Sequence, residues 1–259
     1  GVPQGSILGP LLFILYINDL VMSCKKGSVI MFADDTSIIY EGRDINELVQ
    51  AINQELKFIF DWFCTNKLSV NITKTKFMVF NTQCEMKKLN QVDTLQNVLS
   101  DNSALERVAQ FKFLGVIIDE FLFWNFHILK VSNKLSSTCG VLARLKNELP
   151  SDTLKTIYLT LFMPYVTYGA VCWYSNDNSN VKRVKVLQKK AVRHVYKAKY
   201  NSHTDPLFKH GKLLRINDIS TLLYCKLIHR YHHGKASDFI HSTIHINQDL
   251  HQYNTRQAG

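Results

Sequence analysis

Met31-Phe32-Ala33-Asp34-Asp35-Thr36 is the stretch on which the reading of this chain turns. Two short β-prone runs, 29–33 and 36–40, are separated only by Asp34 and Asp35, the length of a two-residue hairpin turn. Asp-Asp is an unusual tip, because Asn-Gly or Asp-Gly supplies the positive φ of such turns at little cost. Two ionised carboxylates ~5 Å apart repel by roughly 3 kcal/mol at an effective dielectric of about 20. A fold tolerates that where a cation is held. Clustered carboxylate oxygens suit Mg2+, and two metals ~3.5–4 Å apart serve phosphoryl transfer. Taken alone, the pair reads as an exposed acidic turn, and its surroundings have to decide.

Upstream, residues 1–10 form a Gly/Pro/Ser-containing loop, and the run 11–17 is apolar all round, which predicts a buried helix. Downstream, Ile45, Leu48, Val49, Ile52, Leu56, Ile59, Phe60 and Phe63 recur at helical spacing and predict a long amphipathic helix. Residues 68–72, 76–80 and 110–118 read as strands, with a polar connection before the last. From about residue 125 the pattern is helical, with helices predicted over 126–147, 152–173, 178–199 and 217–233, Ser151 capping the second. The fold class is α+β: a mixed first half, then an all-helical second half, and a polar, His-rich tail over 241–259.

The 259 residues, 46% of them hydrophobic and 20% charged, describe a globular chain with a sizeable core. Six scattered cysteines without a CxxC pair read as free thiols of a reducing compartment. The uncharged stretch 156–176 is long enough to span a bilayer, but Pro164, Gly169 and Asn176 interrupt it, so a helix in the core is the better reading and no membrane is implied. Residues 181–235 hold fourteen Lys/Arg and two acids, against seventeen and nineteen in the remainder. The net +10 therefore sits in one C-terminal module, whose natural partner is an anionic polymer. Within it, Lys182, Arg183, Lys185, Lys189, Lys190, Arg193 and Lys197 fill one arc of the helix, with Val186 among them and no acid. The C-terminal histidines 229, 232, 233, 241, 245 and 251 are followed by no cysteine, so a zinc knuckle is not indicated.

The acidic pair does not stand alone. Gly1-Val2-Pro3-Gln4-Gly5-Ser6 with Gly9-Pro10-Leu11-Leu12-Phe13 and Asn18-Asp19-Leu20 resembles motif B of the reverse transcriptases of non-LTR retrotransposons. Met31 to Thr36 resembles their motif C, Leu68-Ser69-Val70-Asn71 with Lys74-Thr75-Lys76 their motif D, and Phe113-Leu114-Gly115-Val116 motif E, the primer grip. The similarity continues through Trp124 to Ile128, Pro164, Tyr168-Gly169, Trp173 and Tyr253-Asn254-Thr255-Arg256, in the family's order.

The resemblance implies an RNA-directed DNA polymerase acting by two-metal nucleotidyl transfer, with RNA template, DNA primer and dNTP as partners and two Mg2+ ions as cofactor. Asp34 and Asp35 would be palm metal ligands, Lys74 a general acid toward pyrophosphate, and Pro3, Gln4, Gly5 and Ser6 the template and nucleotide contacts. Phe113, Leu114 and Gly115 would carry the primer terminus. The implied organisation is a partial palm over 1–122, thumb-like helices over 123–176, a basic helical extension over 177–240 and the tail. The family's motif A aspartate precedes motif B, so the chain is expected to be an N-terminally truncated fragment that turns over little alone. The alternative is a retroelement remnant acting only as a nucleic-acid-binding module. The family implies an intracellular protein of nucleus or cytoplasm; oligomeric state is not fixed by the sequence.

Overall fold

The computed structural model describes residues 3, 5–89, 98–100, 103–174, 179–237 and 240. The chain divides into two compact units, Gly1–Lys112 with Ile118–Leu122, and Phe113–Ile117 with Phe123–Gly259. The tail 241–259 lies outside the described residues.

The first unit opens with helix α1 (Leu8–Ile17) and a 3-10 segment over Asn18–Ser23, then the antiparallel strands β1 (Ser28–Phe32) and β2 (Asp35–Ile39). Helix α2 (Ile45–Thr65) starts where the Asp44 carboxylate accepts the N–H groups of Asn46 and Glu47, as an N-cap should. Then come β3 (Lys76–Phe77), α3 (Gln83–Leu89), β4 (Leu99–Ser100), β5 (Ser103–Ala104) and β6 (Glu106–Arg107). One face of α2 is covered twice. Ile59, with Trp62 and Phe63, packs on Ile17, Leu20, Met31 and Ile38; Val49, with Ile52 and Leu56, packs on Val98, Leu105 and Phe77.

Strands β7 (Gln110–Phe113) and β8 (Val116–Asp119) form a hairpin through which the chain passes between units, its tip Phe113–Ile117 belonging to the second. That unit continues with α4 (Asn125–Leu145), α5 (Ser151–Leu161), α6 (Met163–Thr167), α7 (Ala170–Trp173), α8 (Ser179–Val195), α9 (Asp205–Gly211) and α10 (Ile216–His232). Ile128, Leu135 and Leu142 of α4 meet Val181, Val184, Ala191 and Val192 of α8 around buried Tyr158, Phe162 and Trp173. Burying each such ring contributes about 1.5–3 kcal/mol or more. The amide of Gln188 is fully used inside this core: Nε2 donates to the Tyr158 hydroxyl and Leu214 O, and Oε1 accepts from Ile216 N–H, each at 3.0 Å.

Several expectations are corrected. The strands form four separate two-stranded ladders among the described residues, β3 and β6 pairing in parallel, instead of one sheet. Residues 68–71 are not a strand, and 110–118 is a hairpin because Leu114 and Gly115 take positive φ of 45° and 87° and turn the chain. The helix predicted over 152–173 breaks into three. Pro164 lacks the N–H to continue the ladder, and Gly169 enters the left-handed region at φ 62°. Its apolar residues are nonetheless core, and among the described residues no helix is long and apolar enough to cross a membrane.

Helix α1 departs most from expectation. Only Ile17 is buried, while Leu8, Leu11, Leu12, Ile14 and Leu15 are exposed, because the described part of the unit covers a single edge of this helix.

Candidate functional site

The Asp34–Asp35 region is built from the hairpin outward. Val29, Met31, Thr36 and Ile38 are half-buried, and Met31 and Ile38 rest on the core, so the alternate residues Ile30, Phe32, Asp35 and Ile39 face outward. The register pairs Phe32 with Asp35, which makes Ala33-Asp34 the turn, one residue earlier than expected. Ala33 adopts φ 52°, a conformation that L-residues enter at a cost of roughly 1 kcal/mol. Asp34 therefore projects from the turn and Asp35 from the first position of β2, and both are exposed.

The entry to this hairpin is fixed by a residue the sequence reading missed. Glu55 of α2, only 4% exposed, accepts the backbone N–H groups of Lys25 (2.7 Å), Lys26 and Gly27 (3.1 Å) and the Cys24 thiol (3.0 Å). Burial alone would raise its pKa, but the thiol and the three N–H donors together hold the carboxyl below its ordinary value. The signal was legible: Glu55 lies inside the apolar stripe between Ile52 and Ile59. Tyr40, within hydrogen-bonding range of Cys24, is pushed well above the usual phenol value, first by burial.

The other predicted positions fall as follows. Ser6 N–H donates to Pro3 O (3.2 Å) across a turn with Gly5 at φ 84°, and the Ser6 hydroxyl accepts Gly9 N–H (3.1 Å) at the start of α1; Gln4 lies outside the described residues. Lys74 is exposed in a turn closed on Asn71. Among the described residues no hydrogen bond or ion pair joins Lys74, the Pro3–Ser6 turn and the acidic pair. Asp34 and Asp35 offer the oxygen donors a hard divalent cation takes, but no group of three His, Cys, Asp or Glu that could hold a metal exists among the described residues.

In the second unit, the Leu114-Gly115 turn is held by the Tyr168 hydroxyl, which donates to Leu114 O, while Trp173 Nε1 donates to Tyr168 O at 2.9 Å. Phe113 is the last residue of β7. On α8, Lys182, Arg183, Lys189 and Lys190 are exposed around Val186, itself 63% exposed. Lys185 is half-buried with its Nζ 5.9 Å from the Tyr174 ring centroid, and Arg193 Nε donates to Ser202 O (2.9 Å). Lys197 does not belong to the helical arc: α8 ends at Val195, and Lys197 follows it at φ 51°.

Residues 1–118 match the family of reverse transcriptases (RNA-dependent DNA polymerases). The chain is 28% identical over 213 residues to a "Probable RNA-directed DNA polymerase from transposon BS" of Drosophila melanogaster, covering 77% of this chain and 22% of that protein. It is 25% identical over 228 residues to the "RNA-directed DNA polymerase from mobile element jockey" of Drosophila funebris, covering 84% and 24%. A "Retrovirus-related Pol polyprotein from type-1 retrotransposable element R1 2" of Nasonia vitripennis is 26% identical over 179 residues, covering 67% and 43%. The chain thus spans about a quarter of the length of the first two relatives. No solved structure matches it. The match over residues 1–118, which includes the acidic hairpin, and the kinship with mobile-element polymerases show that the chain belongs to the reverse transcriptases of non-LTR retrotransposons.

Proposed function

We propose that this chain supplies the metal-binding hairpin and the following helices of an RNA-directed DNA polymerase, with RNA template, DNA primer and dNTP as its substrates. The observation that carries the reading is the acidic hairpin: two adjacent exposed carboxylates on strands anchored by the core and by Glu55. In this reading Asp34 and Asp35 hold divalent cations, Mg2+ by preference for oxygen ligands, against the attacking 3′-oxygen and the leaving pyrophosphate. Two carboxylates alone bind such ions weakly, so a further donor has to join them for turnover. The first unit then acts as palm, the second as thumb and extension, and Lys74 and Pro3–Ser6 serve the nucleotide and template.

The exposed apolar sides of α1, together with outward-facing Ile30, Phe32 and Ile39, form a surface on which another segment of a polymerase seats. The exposed cations of α8 follow a phosphate backbone. In any polypeptide that contains these residues and extends a primer on RNA, Asp34→Asn is expected to reduce incorporation at least about a hundredfold with primer–template binding retained. Undiminished synthesis by that variant overturns the reading.

A further inference from the structure

The second unit contains a groove of about 680 Å³ that neither the acidic hairpin nor the α8 arc accounts for. Lys130 and Lys134, one turn apart on α4, line one side; Tyr165 and Tyr168, both substantially exposed, line another, beside the Leu114-Gly115 turn. No acidic residue lines it. His127, 4% exposed, also lines the groove.

The protonation of His127 follows from its partners. Nδ1 accepts the N–H of Ile117 at 3.2 Å, so the ring proton of the neutral form sits on Nε2. Burial first, and then the charge of Lys130, lower the imidazole pKa and keep the ring neutral. Nε2 is buried and has no hydrogen-bond partner. A buried donor left unpaired costs about 1–3 kcal/mol, and such groups mark places where an acceptor arrives.

We propose that this groove takes one stretch of a nucleic-acid strand, with His127 Nε2–H donating to a phosphate oxygen and Lys130 and Lys134 neutralising the backbone. Tyr165 and Tyr168 offer ring faces to bases, the pairing of aromatic and cationic groups that single strands favour. The inference rests on the nucleic-acid reading above and deepens it, since it places a contact on α4 that is separate from α8.

The test is fluorescence anisotropy of a labelled DNA primer annealed to an RNA template, titrated with the full chain across a range of KCl. Lys130→Gln with Lys134→Gln should reduce the steepness of log K against log salt by about 1.8, from about 0.9 per neutralised phosphate. His127→Asn keeps an acceptor for Ile117 N–H but deletes the Nε2 donor; it should weaken binding about tenfold with the salt slope and thermal midpoint unchanged. If the wild-type chain binds and both variants match it, the groove is not the site and the proposal fails. If the wild-type chain binds no nucleic acid, the broader reading fails and takes this one with it. If poly-glutamate displaces the duplex as well as unlabelled duplex does, the groove takes an acidic protein segment and the proposal is overturned.

Discussion

The Glu55 carboxylate accepts the backbone N–H of Lys25 at 2.7 Å, thirty positions away, and so ties the middle of α2 to the loop that starts the acidic hairpin. Because two further N–H groups and a thiol share the same carboxylate, Glu55→Ala strands several buried donors at once. A loss of about 2–4 kcal/mol in urea unfolding is expected. A carboxyl held below its ordinary pKa stabilises the fold fully above the unfolded value of about 4.3, and that stabilisation is lost as pH falls through the lower folded value. Glu55→Gln should therefore flatten the acid limb of the stability curve.

Ala33 occupies the left-handed region at the hairpin turn, where a β-branched side chain is strained most. Ala33→Gly is expected to leave unfolding within about 0.5 kcal/mol of wild type, relief of strain offsetting the added freedom of the unfolded chain. Ala33→Val should cost about 1–2 kcal/mol and, in an active polymerase containing the chain, lower incorporation by displacing Asp34.

Gln188 links α5, the segment before α10 and α10 itself through one amide. Gln188→Leu preserves volume but removes the acceptor of Ile216 N–H and the donor to Leu214 O. Thermal denaturation should show a loss of about 2–3 kcal/mol, whereas Tyr158→Phe, which removes one hydrogen bond, should cost about 1 kcal/mol.

Replacing Lys182, Arg183, Lys189 and Lys190 by Gln should lower the salt slope of primer–template binding by about 0.9 for each phosphate that is no longer neutralised. Lys197→Gln should have a smaller effect, because that residue lies past the end of the helix. An unchanged slope in the quadruple variant would retire α8 as a nucleic-acid surface.

What the sequence could and could not announce follows from how each feature is encoded. Helices α2 and α4 were legible because their apolar periods run for 21 residues each and one face is buried throughout. The acidic turn was legible in place but not in register. Pairing Phe32 with Asp35, or Ala33 with Thr36, leaves the same alternate residues inward, and no glycine between Phe32 and Thr36 fixes the turn. The all-apolar composition of α1 predicted burial, yet composition cannot say which segment covers a helix. The break at Pro164 and Gly169 was visible residue by residue, but the apolar run across it outweighed both signals. Glu55, Gln188 and His127 share one trait: each is a polar residue on an otherwise apolar helical face, and each proves to have backbone partners that only the tertiary fold supplies. The roles of Gln4 and the tail fall on residues outside those described.

Residues 34 and 35 are cation ligands in this account, and paramagnetic line broadening by Mn2+ tests that directly, being sensitive even to weak binding. Amide resonances of Ala33, Asp34, Asp35 and Thr36 should broaden first as Mn2+ is added to the isotope-labelled chain, and should stay sharp in Asp34→Asn with Asp35→Asn. Broadening centred elsewhere, or equal in the double variant, contradicts the assignment.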